Sequence, residues 1–291
     1  MTPSAWFITA TGTGVGKTLA AGAFAIALQR RGLSVCYYKP AETGVSSGVE
    51  GDADLIARIT RQPPALTRGA ALRLPLAPAV AAECEHSSIN WNMLDEGFRR
   101  VEAERPDVLI VEGAGGLAVP LCPDDTAPHG WLTFADAARR WRLPLLIVAD
   151  AALGTINHTV LTISYAHQSR LDVAGLIINN YHWAIPPQAL LHPAAAPDAR
   201  GDIEGGGPPA CLLGLNRLAD RPVQPAELRT LLRSVPASLA GDAAFTNPAV
   251  ISTIAQTPVL AIVPRLKAPD FPSLAAQAAP YMDVMVEKLI G

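Results

Sequence analysis

Long apolar runs are missing from this chain. No stretch approaches 18 apolar residues, so a membrane-spanning helix is not expected. Cysteine is scarce and scattered: Cys36, Cys84, Cys122 and Cys211 contain no Cys-x-x-Cys pair. That disfavours zinc and dithiol redox sites and leaves each cysteine as a small core residue. The histidines at 86, 129, 158, 167, 182 and 192 show no metal-ligand spacing either. Aromatic residues make up only 5% of the chain and the net charge is −3, so no electrostatic footprint suggests nucleic acid as the main partner and a base-stacking role is disfavoured. A basic region followed by an apolar leader is also lacking at the N-terminus, so no signal peptide is expected. With scattered cysteines this fits a cytoplasmic protein.

What the chain does have is apolar material, 49% of 291 residues, enough for a sizeable core. Short apolar runs read as buried parallel strands: Trp6 to Ala10, Leu33 to Tyr38, Val108 to Val111, Leu145 to Ala149, Val173 to Ile178 and Val259 to Val263. Helices are expected over Lys17 to Arg31, Asp52 to Arg61, Met93 to Glu104, Phe134 to Trp141, Thr159 to Ser169 and Ser273 to Leu289. Gly32 is a suitable residue to end the first. The alternation predicts an α/β fold: a doubly wound, mostly parallel sheet with helices on both faces, of the P-loop NTPase type. Residues 1–291 read as a single domain with a long irregular insertion at about 182–257. That insertion opens with a Pro-, Ala- and Gly-rich loop to Pro209, and one helix is possible within it, over Pro225 to Arg233.

Four segments carry chemistry. Gly12-Thr13-Gly14-Val15-Gly16-Lys17-Thr18 lies between a strand and a helix, the layout of a phosphate-binding loop. Backbone N–H groups and the helix N-terminus would favour phosphate. Lys17 would reach the β/γ-phosphates of ATP and the Thr18 hydroxyl would bind Mg²⁺. Lys39-Pro40-Ala41-Glu42-Thr43-Gly44 follows the second strand. It places Lys39 where it could neutralise a transferred phosphoryl group or a carboxylated substrate. Glu112 ends the strand Val108 to Val111 and precedes Gly113-Ala114-Gly115-Gly116, the position of a metal-binding acid. Asp52 and Asp54 open a helix; either could cap it or serve as a metal carboxylate. In Leu153-Gly154-Thr155-Ile156-Asn157-His158, Asn157 reads as the N-cap of the following helix, and His158 is assigned no catalytic role.

In this order, the four segments resemble those of dethiobiotin synthetase over roughly residues 6 to 180 and 257 to 290. Softer echoes are Thr133-Phe134-Ala135-Asp136 and the run from Ala174-Gly175 to Asn179. The resemblance implies that 7,8-diaminopelargonate, CO₂ and ATP give dethiobiotin, ADP and phosphate through a carbamate and a carbamic-phosphoric anhydride. Such chemistry needs positioning and charge neutralisation more than a protein nucleophile. It further implies that Thr13, Gly14, Val15, Gly16, Lys17, Thr18, Glu112 and Gly115 bind the nucleotide and that Asn179 reads adenine. Thr18, Asp52 and Glu112 would hold Mg²⁺, with Asp54 the fallback for Asp52. Lys17, Lys39 and Thr43 would be catalytic; Lys39, Thr43, Gly116 and Asn157 would line a substrate site at a homodimer interface.

Three departures stand out. Ala10 occupies the place of the family's first loop glycine. Leu260-Ala261-Ile262-Val263 lacks the acid often found near the ribose. The 182–257 segment is far longer than usual. Other readings of the same loop are a cobyrinate-type amidase, which would need a glutaminase domain this length does not accommodate, a partition-type ATPase switch, and a nucleotide-binding homologue without turnover.

Overall fold

Burial from both sides turns the apolar runs into adjacent strands of one sheet. The computed structural model describes residues 4–46, 48–127, 129–181, 225–233 and 243–290. Along the first half run β1 (Ser4–Ala10), α1 (Lys17–Arg30), β2 (Val35–Thr43), α2 (Asp52–Thr60), α3 (Pro64–Thr67), β3 (Arg68–Leu72), α4 (Pro78–Cys84), α5 (Trp91–Glu102) and β4 (Val108–Glu112). There follow β5 (Pro120–Pro123), β6 (Trp131–Thr133), α6 (Phe134–Arg140), β7 (Leu145–Asp150), α7 (Thr155–Gln168) and β8 (Val173–Tyr181). The last described elements are α8 (Pro225–Arg233), α9 (Ala243–Ala255), β9 (Val259–Pro264), α10 (Phe271–Ala278) and α11 (Asp283–Ile290).

Seven strands pair in the order β3-β2-β4-β1-β7-β8-β9, every ladder parallel. One face is covered by Phe24 and Leu28 of α1, Ile56 of α2 and Met285 of α11, packed on Ile8, Ile110 and Val148. The other is covered by Leu94 and Phe98 of α5, Ala137 of α6 and Ile163 of α7, packed on Phe7, Val111 and Ile147. The fold is therefore the expected doubly wound α/β sheet. From β1 the chain first winds toward β3, then crosses to β7 and winds toward β9. The carboxyl end of β1 is thus a switch point, where such sheets bind ligands. No helix among the described residues is long and apolar enough to cross a membrane.

The expected strands are all present and longer by one to three residues, with β2 starting two residues later than expected, and several other boundaries differ. Helix α7 starts at Thr155 rather than Thr159, with Gly154 as its N-cap at φ 96°. Asn157 therefore lies inside the first turn and does not cap the helix, correcting the sequence reading. The expected helix over Ser273 to Leu289 is broken by a 3₁₀ turn, Ala279–Met282, because Pro280 has no N–H to continue the α ladder. Edge strand β3, Arg-Gly-Ala-Ala-Leu, escaped the sequence reading because it has no β-branched or aromatic residue. So did the β5–β6 hairpin, α3, α4 and α9, the last with Pro248 inside it. Helix α8 lies where expected. Within the insertion, Ala249 and Ile251 of α9 enter the core, and Asn247 Nδ2 donates to the Ala151 carbonyl at 3.0 Å. The expected loop over 182–209 lies outside the described residues. Cys36 and Cys122 are buried as expected, but Cys84 is exposed, since it ends α4 facing solvent; Cys211 is outside the described residues.

Candidate active site

At the end of β1 the chain turns through the Gly-rich loop into α1. Gly16, at φ 96°, is the N-cap, a left-handed conformation that disfavours side chains. The Asn179 amide lies against it, leaving no room for a Cβ. Asn179, at the end of β8, donates from Nδ2 to the Val15 carbonyl at 2.9 Å, which ties the loop to a strand two places from β1 in the sheet. The first turn of α1 has no acidic residue, so its positive end stays available to an anion. Ala10 is a buried β1 residue in register with Val148 and is not among the residues with positive φ. Its methyl belongs to the core, and the turn does not require glycine there.

Lys39, only 3% exposed, sets its ammonium between two carboxylates. It lies 2.6 Å from Asp52 Oδ2 and 2.8 Å from Glu112 Oε1. Glu112, fully buried at the end of β4, also accepts from Thr18 Oγ1 at 3.1 Å and from the Tyr37 hydroxyl at 2.9 Å. A buried charge persists only when paired and hydrogen-bonded in this way. Burial alone would lower the Lys39 pKa, but Glu112, Asp52 and Glu42 outweigh it and hold the group protonated. Burial likewise opposes ionisation of Asp52, and Lys39 overcomes it, so the carboxyl titrates below its ordinary range. Tyr37 is pushed well above its ordinary value by burial and by Glu112, so it acts as a hydrogen-bond donor. Lys17 Nζ lies 3.4 Å from the Gly12 carbonyl. Burial lowers its pKa, with Glu112 opposing and Lys39 adding to the shift.

Asp54, the other acid at the start of α2, is otherwise engaged. Its Oδ2 accepts the Gly51 N–H at 2.9 Å and its Oδ1 pairs with Arg68 at 2.5 Å.

Thr13, Gly14, Gly16, Lys17, Thr18, Lys39, Thr43, Asp52, Glu112 and Gly115 all line one cavity of about 310 Å³, together with Glu42 and Ala114. Four of the residues singled out in the sequence do not line it. Val15 faces Asn179 through its carbonyl, and Asn179 itself lies behind the loop. Asn157 is exposed on α7. Gly116 opens instead into an adjoining groove of about 520 Å³, lined by Ala10, Thr11, Gly116 to Pro120, Leu161, Thr162 and Tyr165. Sequence reasoning overlooked Tyr37, Glu42 and Arg68. Glu42 stood inside the quoted Lys39–Gly44 segment; an acid between Lys39 and Thr43 was the available signal. The run Gly44-Val45-Ser46-Ser47-Gly48 has nucleophile-elbow spacing, yet Ser46 is exposed in irregular backbone ahead of α2, not in the strand–turn–helix that such a nucleophile needs.

Thr18, Asp52 and Glu112 form a set of hard oxygens, with Thr18 Oγ1 on Glu112 and both carboxylates on the Lys39 ammonium, a donor chemistry that suits Mg²⁺. Lys17 and the Gly-rich helix start line the same cavity. Such an arrangement can neutralise and orient phosphate.

A family model described as "AAA domain" matches residues 4–273. The chain is 36% identical over 217 residues to an ATP-dependent dethiobiotin synthetase of Anaeromyxobacter sp. (strain Fw109-5), covering 74% of this chain and 92% of that protein. It is 39% identical over 179 residues to an ATP-dependent dethiobiotin synthetase of Bacillus cereus (strain B4264), covering 60% and 71%. A solved MinC:MinD cell division protein complex of Aquifex aeolicus gives a TM-score of 0.45 at 11% identity, covering 98% of this chain and 93% of that one.

Proposed function

This chain belongs to the ATP-dependent dethiobiotin synthetase family, and from that premise we propose that it carboxylates and cyclises 7,8-diaminopelargonate with CO₂ to dethiobiotin, releasing ADP and phosphate. The observation that carries the reading is the buried ammonium of Lys39 between Glu112 and Asp52, facing the phosphate loop. It supplies positive charge and fixed geometry without a nucleophile, as phosphoryl transfer to a substrate oxygen requires.

In this reading one substrate amine takes up CO₂ and loses a proton, giving a carbamate. A carbamate oxygen attacks the γ-phosphorus of ATP and ADP leaves. The second amine then closes the cyclic urea, expels phosphate and loses its proton. Lys17 and the N–H groups of Thr13, Gly14 and Gly16 hold the β/γ-phosphates. Lys39 and Thr43 orient the carbamate and neutralise the moving phosphoryl group. Thr18, Asp52 and Glu112 would hold Mg²⁺, which would neutralise charge on the triphosphate. Gly115 approaches the nucleotide closely, and Asn179, braced on the loop, reads the adenine.

Two further features support the substrate. The apolar groove begins at Gly116, one residue along the chain from Gly115 of the phosphate cavity, and suits an alkyl chain. Helix α7 and the turn before it present Leu153, 88% exposed, and Leu161, 59% exposed, beside exposed Asn157. Such a surface fits a homodimer in which Asn157 reaches the diamine held by the other copy. Purified protein with Mg²⁺, ATP and bicarbonate should release phosphate only when 7,8-diaminopelargonate is added. ATP hydrolysis indifferent to the diamine would sink the proposal.

A further inference from the structure

Asp52 reaches Lys39 from the first turn of α2, and that turn is held in place by Glu42, in the wall of the same cavity, and by Arg68, outside it. We propose that Glu42 and Arg68 are positioning residues that clamp the start of α2 and so set Asp52 against Lys39. The inference rests on the metal and phosphate roles proposed above for Asp52 and Lys39.

Arg68 opens the edge strand β3, in register with Lys39 of β2. Its Nε stands 3.0 Å from Glu42 Oε2, a buried charge contact without hydrogen-bond alignment, and a terminal nitrogen lies 2.5 Å from Asp54 Oδ1. Each carboxylate in turn holds backbone of the helix start. Glu42 Oε1 accepts the Ala53 N–H at 3.3 Å and Asp54 Oδ2 accepts the Gly51 N–H at 2.9 Å. Asp52 lies between those two anchored peptides. The packing is tight: a Cβ on Gly51 would come within 2.7 Å of Glu42 Oε1. Because φ at Gly51 is −93°, steric contact and not backbone strain excludes a side chain there. One forked cation thus fixes two acids, and the two acids fix the peptide that carries Asp52. Only arginine has the planar fork to serve both at once.

The test compares Arg68→Ala, Arg68→Lys, Glu42→Gln and Gly51→Ala with the wild-type chain. Mn²⁺ affinity in the presence of ADP is read by electron paramagnetic resonance, beside kcat, KM for ATP and thermal melting. Partners that orient a ligand typically change affinity or rate by about 10–100-fold. Arg68→Ala and Gly51→Ala should therefore weaken Mn²⁺ binding and lower kcat about 10-fold or more, with KM for ATP changed less than about twofold because the phosphate loop is untouched. Arg68→Lys should recover part of the Arg68→Ala loss, and Glu42→Gln, which keeps an acceptor for the Ala53 N–H but not the charge facing Arg68, should show a smaller loss than Arg68→Ala. Folded Arg68→Lys and Glu42→Gln variants with wild-type Mn²⁺ affinity and kcat would overturn the clamp, as would a loss confined to KM for ATP. If the wild-type chain shows no diamine-dependent turnover, the proposed reaction fails while the Mn²⁺ titration still decides the clamp.

Discussion

Two hollows meet at the carboxyl end of β1, and they differ in almost every physical property. The cavity over Lys17, Lys39, Glu112 and Asp52 is built from paired charges. The groove past Gly116 is walled by Leu117, Val119, Pro120, Leu161 and Tyr165. The first has fixed dipoles and ions that need no reorganisation when charge moves. The second offers apolar area and little else, so it discriminates by shape and length. A reaction joining a triphosphate to a diamine on an alkyl chain needs both, side by side. Substitutions should therefore separate cleanly into those that remove the chemistry and those that loosen the substrate.

Lys39→Met should give the largest effect. It leaves Glu112 and Asp52 without their shared cation, and breaking a buried pair from one side costs about 3–5 kcal/mol. Denaturant melts should show that loss, and diamine-dependent phosphate release should disappear. A stable, active Lys39→Met variant would show that the ion pairs are incidental. Lys17→Ala comes next. Removing one preorganised charge-stabilising group costs on the order of 10²–10³ in kcat, with melting little changed, because Lys17 makes no ion pair among the described residues. Tyr165→Ala, in the groove, should raise KM for the diamine about 10-fold, the scale of a lost apolar contact of 1–3 kcal/mol, while KM for ATP stays put. Equal changes in both constants would erase the distinction between the hollows.

The two hollows also differed in how legible they were. Lys17, Thr18, Lys39 and Glu112 could be found in the sequence because strand ends in a parallel sheet converge, and each stood next to a recognisable apolar run. Gly116 was legible only as a neighbour of Gly115, and the groove it opens into runs on to Pro120 of the β5–β6 hairpin, whose first strand, Pro-Leu-Cys-Pro, has no strand-like composition. Arg68 was invisible for another reason. Its partner Glu42 lies 26 positions earlier, and nothing local in Arg-Gly-Ala-Ala-Leu announces the edge strand that brings them together. Asn157 was misplaced as a cap because a left-handed glycine, Gly154, starts α7 three residues sooner. Local chemistry was readable; long-range register was not.

The smallest effect tests the electrostatic half of the comparison alone. Asp52 titrates below the ordinary 3.8 because Lys39 overcomes the cost of its burial. A carboxylate with a lowered folded pKa stabilises the protein above the unfolded value, and that stabilisation is lost as pH falls through the folded one. Asp52→Asn should therefore melt below the wild type at neutral pH, and the gap should narrow as pH drops below 3.8. Val119→Ala is the matching change in the groove. It removes apolar contact without touching a titrating pair, at a cost of about 1 kcal/mol, and its gap from the wild type should stay level over the same pH range. Parallel pH curves for the two variants would mean that the cavity's charges contribute no more to folding than the groove's methyl groups. Converging curves for Asp52→Asn alone would place the pH-dependent part of this region's stability at the Lys39 cluster, where the proposed chemistry also resides.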